Sequence, residues 1–121
     1  MTKPLGPYTP AVRAGDWIIV SGQLGAKDGA LVPGGVAAQT AQVVENLKTL
    51  LATMDATLAD VAKTLCFLTD IGTFAEFNEA YVAGFGECRP ARSTIGVGGL
   101  PGGAEAVSYT HLRAHETVLD S

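Results

Sequence analysis

The residues able to do chemistry are few and unevenly placed along this 121-residue chain. His111 and His115, the only histidines, stand four apart in "YTHLRAHET", with Glu116 alongside and Glu105 upstream. On a helix that spacing would put two imidazoles on one face, but a catalytic zinc site needs three protein ligands. Nothing beyond Glu116 offers itself as the third. The pair therefore reads as solvated surface, and no metal is expected. Cys88 in "GECRPA" could serve as a nucleophile with Arg89 as a charge partner, yet no histidine base is near it in sequence. A bystander loop thiol is the plainer reading.

Arg92 is the most informative residue. It lies inside the β-rich run "PARSTIGV", where Ile95 and Val97 look like buried neighbours. A buried guanidinium needs a partner, because an unpaired buried charge is very costly. Its planar fork suits a carboxylate held by two parallel hydrogen bonds. That carboxylate could belong to a ligand or to a structural Asp or Glu, and the residues alone leave the two readings even. The glycine-rich "GVGGLPGG" has neither the order of a P-loop nor a strand-to-helix setting, so it reads as a hairpin connection.

The elements that must position these residues follow from periodicity. "AVRAGDWIIVSGQLG" predicts two strands around a turn at "AGD", and "KDGALVPGG" is turn material. From Val36 the period changes to helical. Val36, Thr40, Val43, Val44, Leu47, Leu50, Leu51 and Met54 form one stripe, which predicts a helix from about residue 36 to 54. "DVAKTLCFLTD" predicts a central strand covered on both faces. "GTFAEFNEAYVAGFG" opens with Thr73-x-x-Glu76, the pattern of a capping box, and predicts a second helix with Phe74, Phe77, Tyr81 and Phe85 on one face. "RPARSTIGVGG" is a further strand, and another is expected after the last glycine turn. The order predicts a single small α+β domain, a mixed sheet with two helices on one face. The uncovered sheet face then calls for an oligomer.

Composition narrows the function. A net charge of -4 and a pI near 4.9 argue against a nucleic-acid binder, which usually carries a basic face. No apolar run approaches the roughly 20 residues needed to cross a bilayer, and the N-terminus does not read as a signal peptide. Cys66 and Cys88 make no disulfide framework. A cytoplasmic protein with free thiols, without nucleic-acid or membrane partners, is expected.

A family resemblance runs through these motifs. "GPYTPAV", "VSGQLG", "QTAQVVENLKTLL", "DVAKTLCFLTD", "FAEFNEAY" and "RPARSTIGVGGLPGGA" together resemble the reactive intermediate deaminase A family (RidA, YjgF-like), over residues 6–105. The resemblance implies a fold similar to a small bacterial chorismate mutase, assembled as a homotrimer with a ligand cleft at each subunit interface. It implies a 2-iminobutanoate/2-iminopropanoate deaminase, a hydrolase acting on reactive enamines and imines such as 2-aminoacrylate. The products would be a 2-oxo acid and ammonia, and no cofactor would be used. In the family the arginine of "ARS" holds the substrate carboxylate, which makes Arg92 a catalytic residue here. Thr94 would help place the attacking water. Tyr8, Ser21, Gly22 and Asn78 match substrate-binding cleft positions.

The departure begins at about Ala106. The family continues with an alternating strand resembling "VEIEAIA", whose first glutamate helps position water, and Val107 occupies that place. "SYTHLRAHET" resembles a translated sequencing adapter, so residues 106–121 read as a foreign tail replacing the last strand. Without the glutamate, the rival reading is a non-catalytic protein that binds small carboxylates in the same cleft. A ribonuclease activity, the third, fits the acidic charge poorly.

Overall fold

The computed structural model describes residues 6–113. Along the chain run β1 (Ala11–Ala14), β2 (Trp17–Leu24), β3 (Ala26–Lys27), β4 (Ala30–Leu31), α1 (Gly35–Ala52), β5 (Val61–Leu68), α2 (Phe74–Phe85), β6 (Ala91–Gly96) and β7 (Ala106–Arg113). Five strands form one sheet in the order β1-β2-β7-β5-β6. Only β5 and β6 run parallel, and the other pairs are antiparallel, so the sheet is mixed as expected. Asp28 and Gly29, both at positive φ, turn the chain between β3 and β4 as a two-residue hairpin with its own small ladder.

Both helices pack on one face of the sheet. From β2, Ile18 and Val20 point into that layer, and β5 contributes Cys66 and Leu68. Leu112 of β7 meets Val44, Leu47 and Leu51 of α1 and Phe77, Tyr81 and Phe85 of α2 in the same cluster. The stripe read from the sequence lies on the buried face of α1 from Val36 to Leu51, but the helix ends at Ala52, short of Met54, and Gln39 is buried on that face as well. Its register against the sheet is pinned by a reciprocal clamp. Gln39 donates to the Glu105 carboxylate at 3.0 Å and accepts from the Glu105 N–H at 2.8 Å, tying α1 to the start of β7.

Several expectations need correction. The strand β5 has strands on both edges but a helical cover on one face only. Thr64, Cys66 and Leu68 are buried while Lys63, Leu65 and Phe67 on the other face are half-buried. Ile95 is 47 % exposed and Val97 half-buried, because β6 is an edge strand. The "GVGGLPGG" segment is not a hairpin: β5 stands between β6 and β7, so the segment crosses that strand. At α2 the Thr73–Glu76 box does not form, because a 3-10 turn over Ile71–Thr73 precedes the helix. Asp70 caps that turn by accepting from the Gly72 N–H at 2.9 Å. A reciprocal cap is found instead at the short turn before β5, where Asp60 accepts from the Thr57 N–H at 2.8 Å.

The largest correction concerns the last segment. Residues 106–113 make β7, which lies between β2 and β5 in the middle of the sheet. The departing sequence thus supplies the strand whose loss it was expected to cause. The strand alternates: Ser108, Thr110 and Leu112 are buried beneath the helices, while Tyr109 and His111 face outward.

Candidate functional site

The expected site residues fall into two groups, one on each face of the sheet. On the open face β2 carries a bulge. Its register with β7 passes from Val20–Thr110 to Gln23–Ser108, which leaves Ser21 and Gly22 out of step opposite Tyr109. Glycine is required there. A Cβ on Gly22 would come 2.8 Å from Tyr109 Cζ and 3.0 Å from Val107 Cγ1. The Tyr109 ring is held in turn by an edge-on contact with Phe67, centroids 5.6 Å apart.

Around the bulge lies a cleft of about 180 Å³, lined by Tyr8, Ser21, Gly22, Leu24, Pro101, Val107 and Tyr109. Ser21 is fixed by its surroundings. Its hydroxyl donates to the Thr9 carbonyl at 2.7 Å and its N–H to the Pro10 carbonyl at 2.8 Å. The hydroxyl can therefore offer a ligand lone pairs but not its proton. Val107 is buried at the back of this cleft.

The second group sits under α2 at the far edge. Arg92 and Thr94 pair in register with Thr64 and Cys66, so their side chains share the covered face. The guanidinium carbon of Arg92 lies 4.8 Å from the Tyr81 ring centroid, 5.3 Å from that of Phe77 and 5.6 Å from that of Phe74. Three ring faces with negative quadrupoles hold this cation without neutralising it. Lys48 pairs with Glu45 and Arg113 with Asp16, and among the described residues no carboxylate pairs with Arg92. The buried polar atoms Asn78 Oδ1 and Thr94 Oγ1 have no hydrogen-bond partner. Thr40 Oγ1 and Thr110 Oγ1, deeper in the core, are likewise unpartnered, so these atoms by themselves do not mark a site.

Behind the cage runs a chain of buried polar contacts. The Tyr81 hydroxyl and Thr64 Oγ1 lie 2.8 Å apart, and the Cys66 thiol reaches Thr64 Oγ1 at 3.8 Å and Ser108 Oγ at 3.5 Å. Burial pushes the Cys66 thiol above its ordinary range, outweighing its hydrogen bonds with Ser108 and Thr64, to which it donates, and the nearby Arg92 charge. Burial does the same to the Tyr81 phenol. At neutral pH both stay protonated, so Cys66 is no nucleophile.

One chain does not bring the two groups together. Between β2 and β6 stand β7 and β5, a lateral distance of about 14 Å at the usual strand spacing, and the groups face opposite ways. Tyr8, Ser21 and Gly22 meet in the cleft, whereas Arg92, Thr94 and Asn78 lie on or under α2's side of the sheet. The residues missed from sequence are the apolar cleft wall (Leu24, Pro101 and Tyr109) and the ring cage. Phe74, Phe77 and Tyr81 were legible as one helix face, but not as seats for a cation. His111 lies exposed on a strand rather than a helix, while His115 lies outside the described residues. Among the described residues no three potential ligands gather as a metal site. Cys88 is half-buried against the core, and Arg89 donates to carbonyls of its own loop.

Comparison with known proteins decides the kinship. The profile of the Endoribonuclease L-PSP family, which is YjgF/RidA-like, matches residues 1–106. The chain belongs to this family. It is 40% identical over 113 residues to a RutC family protein of Pyrococcus horikoshii, covering 88% of this chain and 90% of that protein. The crystal structure of RidA from an Antarctic Psychrobacter superposes with a TM-score of 0.87 at 36% identity, over 92% of this chain and 91% of that one. E. coli TdcF, solved with bound serine, gives a TM-score of 0.86 at 28% identity, over 93% and 91%. The family match ends at Ala106, immediately before Val107. No described helix is long and apolar enough to cross a membrane.

Proposed function

We propose that this RidA-like protein binds small imine and enamine carboxylates and hydrolyses them to 2-oxo acids and ammonia. The observation that carries the reading is Arg92, a half-buried guanidinium seated on three rings with no acid partner among the described residues. A cation so placed is ready for a ligand carboxylate, which its fork can take by two hydrogen bonds. The serine bound to TdcF is such a carboxylate. Substrates of the type 2-aminoacrylate and 2-iminopropanoate fit the family role.

In this reading two copies share each site. The open sheet face exposes Trp17, Ile19 and Tyr109 by 43, 41 and 40%, an apolar surface that a homotrimer would cover. Packing there would bring the cleft of one copy toward the Arg92 edge of another. Arg92 then fixes the carboxylate, so water attack at the imine carbon becomes an oriented event. Thr94 and the Gly22 bulge help position water and nitrogen. Water adds across C=N, the nitrogen takes a proton, and C–N cleavage releases ammonia and leaves the 2-oxo acid. No metal or cofactor takes part. The two free thiols suit the cytoplasm.

Val107 is the specific observation favouring the rival, a carboxylate-binding protein that does not turn over. A valine can neither hold water nor move a proton, and it stands where the family places its glutamate. The assay generates 2-aminoacrylate in situ and follows pyruvate release. Acceleration by this chain supports the hydrolase. Acceleration only by Val107→Glu supports the binding protein, and none by either variant defeats the enzyme. Light scattering after size exclusion tests the trimer. Cleavage of single-stranded RNA, the activity carried in the family's name, would instead require a cationic surface that a net charge of -4 does not suggest.

A further inference from the structure

Arg92 stands on β6, an edge strand that the sheet holds only through β5. A long side chain on such an edge has many rotamers open to it. A ligand that must first order such a side chain binds less tightly, by roughly two- to tenfold. The Tyr81 ring lies 4.8 Å from the guanidinium carbon, the shortest of its three ring contacts. That ring is itself fixed from several sides. Phe85 stacks on it with centroids 4.4 Å apart and planes 21° apart, and Phe77 leans against it at 5.6 Å. Its hydroxyl lies 2.8 Å from Thr64 Oγ1 on β5. Tyr81 is 5% exposed, so its attraction for the cation is little weakened by water. A ring face also leaves the in-plane N–H donors of the guanidinium free, and those are the donors a carboxylate needs.

We infer that Tyr81 is a positioning residue: its ring, locked by Phe85 and Thr64, holds the Arg92 guanidinium in place before a ligand carboxylate arrives. The inference rests on the carboxylate-anchoring reading of Arg92 above and names the residue that prepares that anchor. It separates two parts of one side chain. The hydroxyl serves the fold through Thr64, whereas the ring serves binding through Arg92.

The test uses the whole chain and two readouts. Calorimetry with pyruvate measures carboxylate affinity, and NMR relaxation of the Arg92 Nε–H group measures its mobility without ligand. Tyr81→Leu should weaken pyruvate binding about tenfold and set the Nε–H group free to move. Tyr81→Phe keeps the ring and should bind within about twofold of the unaltered chain. Leu51→Ala controls for lost stability. It opens the core at α1, and should lower the melting temperature by more than Tyr81→Phe while leaving affinity unchanged. Should Tyr81→Leu fail to fold, the unaltered chain decides: an Arg92 Nε–H as mobile as that of exposed Arg113 overturns the inference, and a rigid one supports it. Pyruvate binding that is unchanged or tighter in Tyr81→Leu overturns the inference and leaves the carboxylate reading standing. No pyruvate binding by any of these chains overturns both.

Discussion

The two faces of β7 put the same strand to different uses. Ser108, Thr110 and Leu112 lie buried beneath α1 and α2, and each is constrained by what it touches. Val107, Tyr109 and His111 alternate with them on the open face, where only the cleft and an unpaired surface wait. A sequence can depart from its relatives on the second face and keep the fold, provided it keeps the first. That is what β7 does: the alternation that packs the core is kept, while the open face carries Val107 and Tyr109.

Substitutions on opposite faces should therefore fail in different ways. Leu112→Ala, on the covered face, removes a fully buried side chain and should cost about 3 kcal/mol in chemical denaturation. Tyr109→Ala, three residues earlier on the open face, should cost less than a third of that. Equal losses would mean that the open face is as much a part of the core as the covered one. Arg92→Lys keeps the charge but not the fork, so titration with a small carboxylate should weaken at least about tenfold while the melting temperature holds. A large fall in stability would instead make Arg92 a structural cation.

Tyr81→Phe keeps the ring under Arg92 but deletes the 2.8 Å contact with Thr64. It should cost about 1 kcal/mol, or a melting shift of ~4 °C, and leave carboxylate binding within about twofold. The smallest effect concerns pH. Burial raises the folded-state values of Cys66 and Tyr81, so the native state holds those two protons more tightly than the unfolded chain. Their contribution is fully present below the ordinary thiol range and is lost as pH rises through the folded values. Melting curves should fall gently into the alkaline range, and thiol alkylation under native conditions should label half-buried Cys88 well before Cys66.

Legibility followed the physics of each element. The stripe from Val36 to Met54 and the aromatic face of α2 could be read because a helix buries every third or fourth residue, whatever the rest of the chain does. Arg92 could be singled out because a guanidinium inside a β-rich run demands an explanation. Its ring cage could not, since the contact joins β6 to α2 across the fold. The cap at Asp70 was missed because a 3-10 turn intervenes before Phe74 and moves the capping position upstream. β7 was the hardest. Judged by likeness its residues looked foreign, yet their alternation is all that a strand between β2 and β5 requires.

That central position also sets an order of events. β7 is the last strand along the described chain, but it fills the gap between two strands made long before it. Until residues 106–113 leave the ribosome, β2 and β5 each carry a raw edge, and no local hairpin can close the space between them. The sheet therefore depends on contacts between distant parts of the chain, which makes folding slow and leaves sticky intermediates exposed while it waits. A nascent chain stalled before Ala106 would hold both helices and most of the core residues, and still lack the strand that joins its two halves.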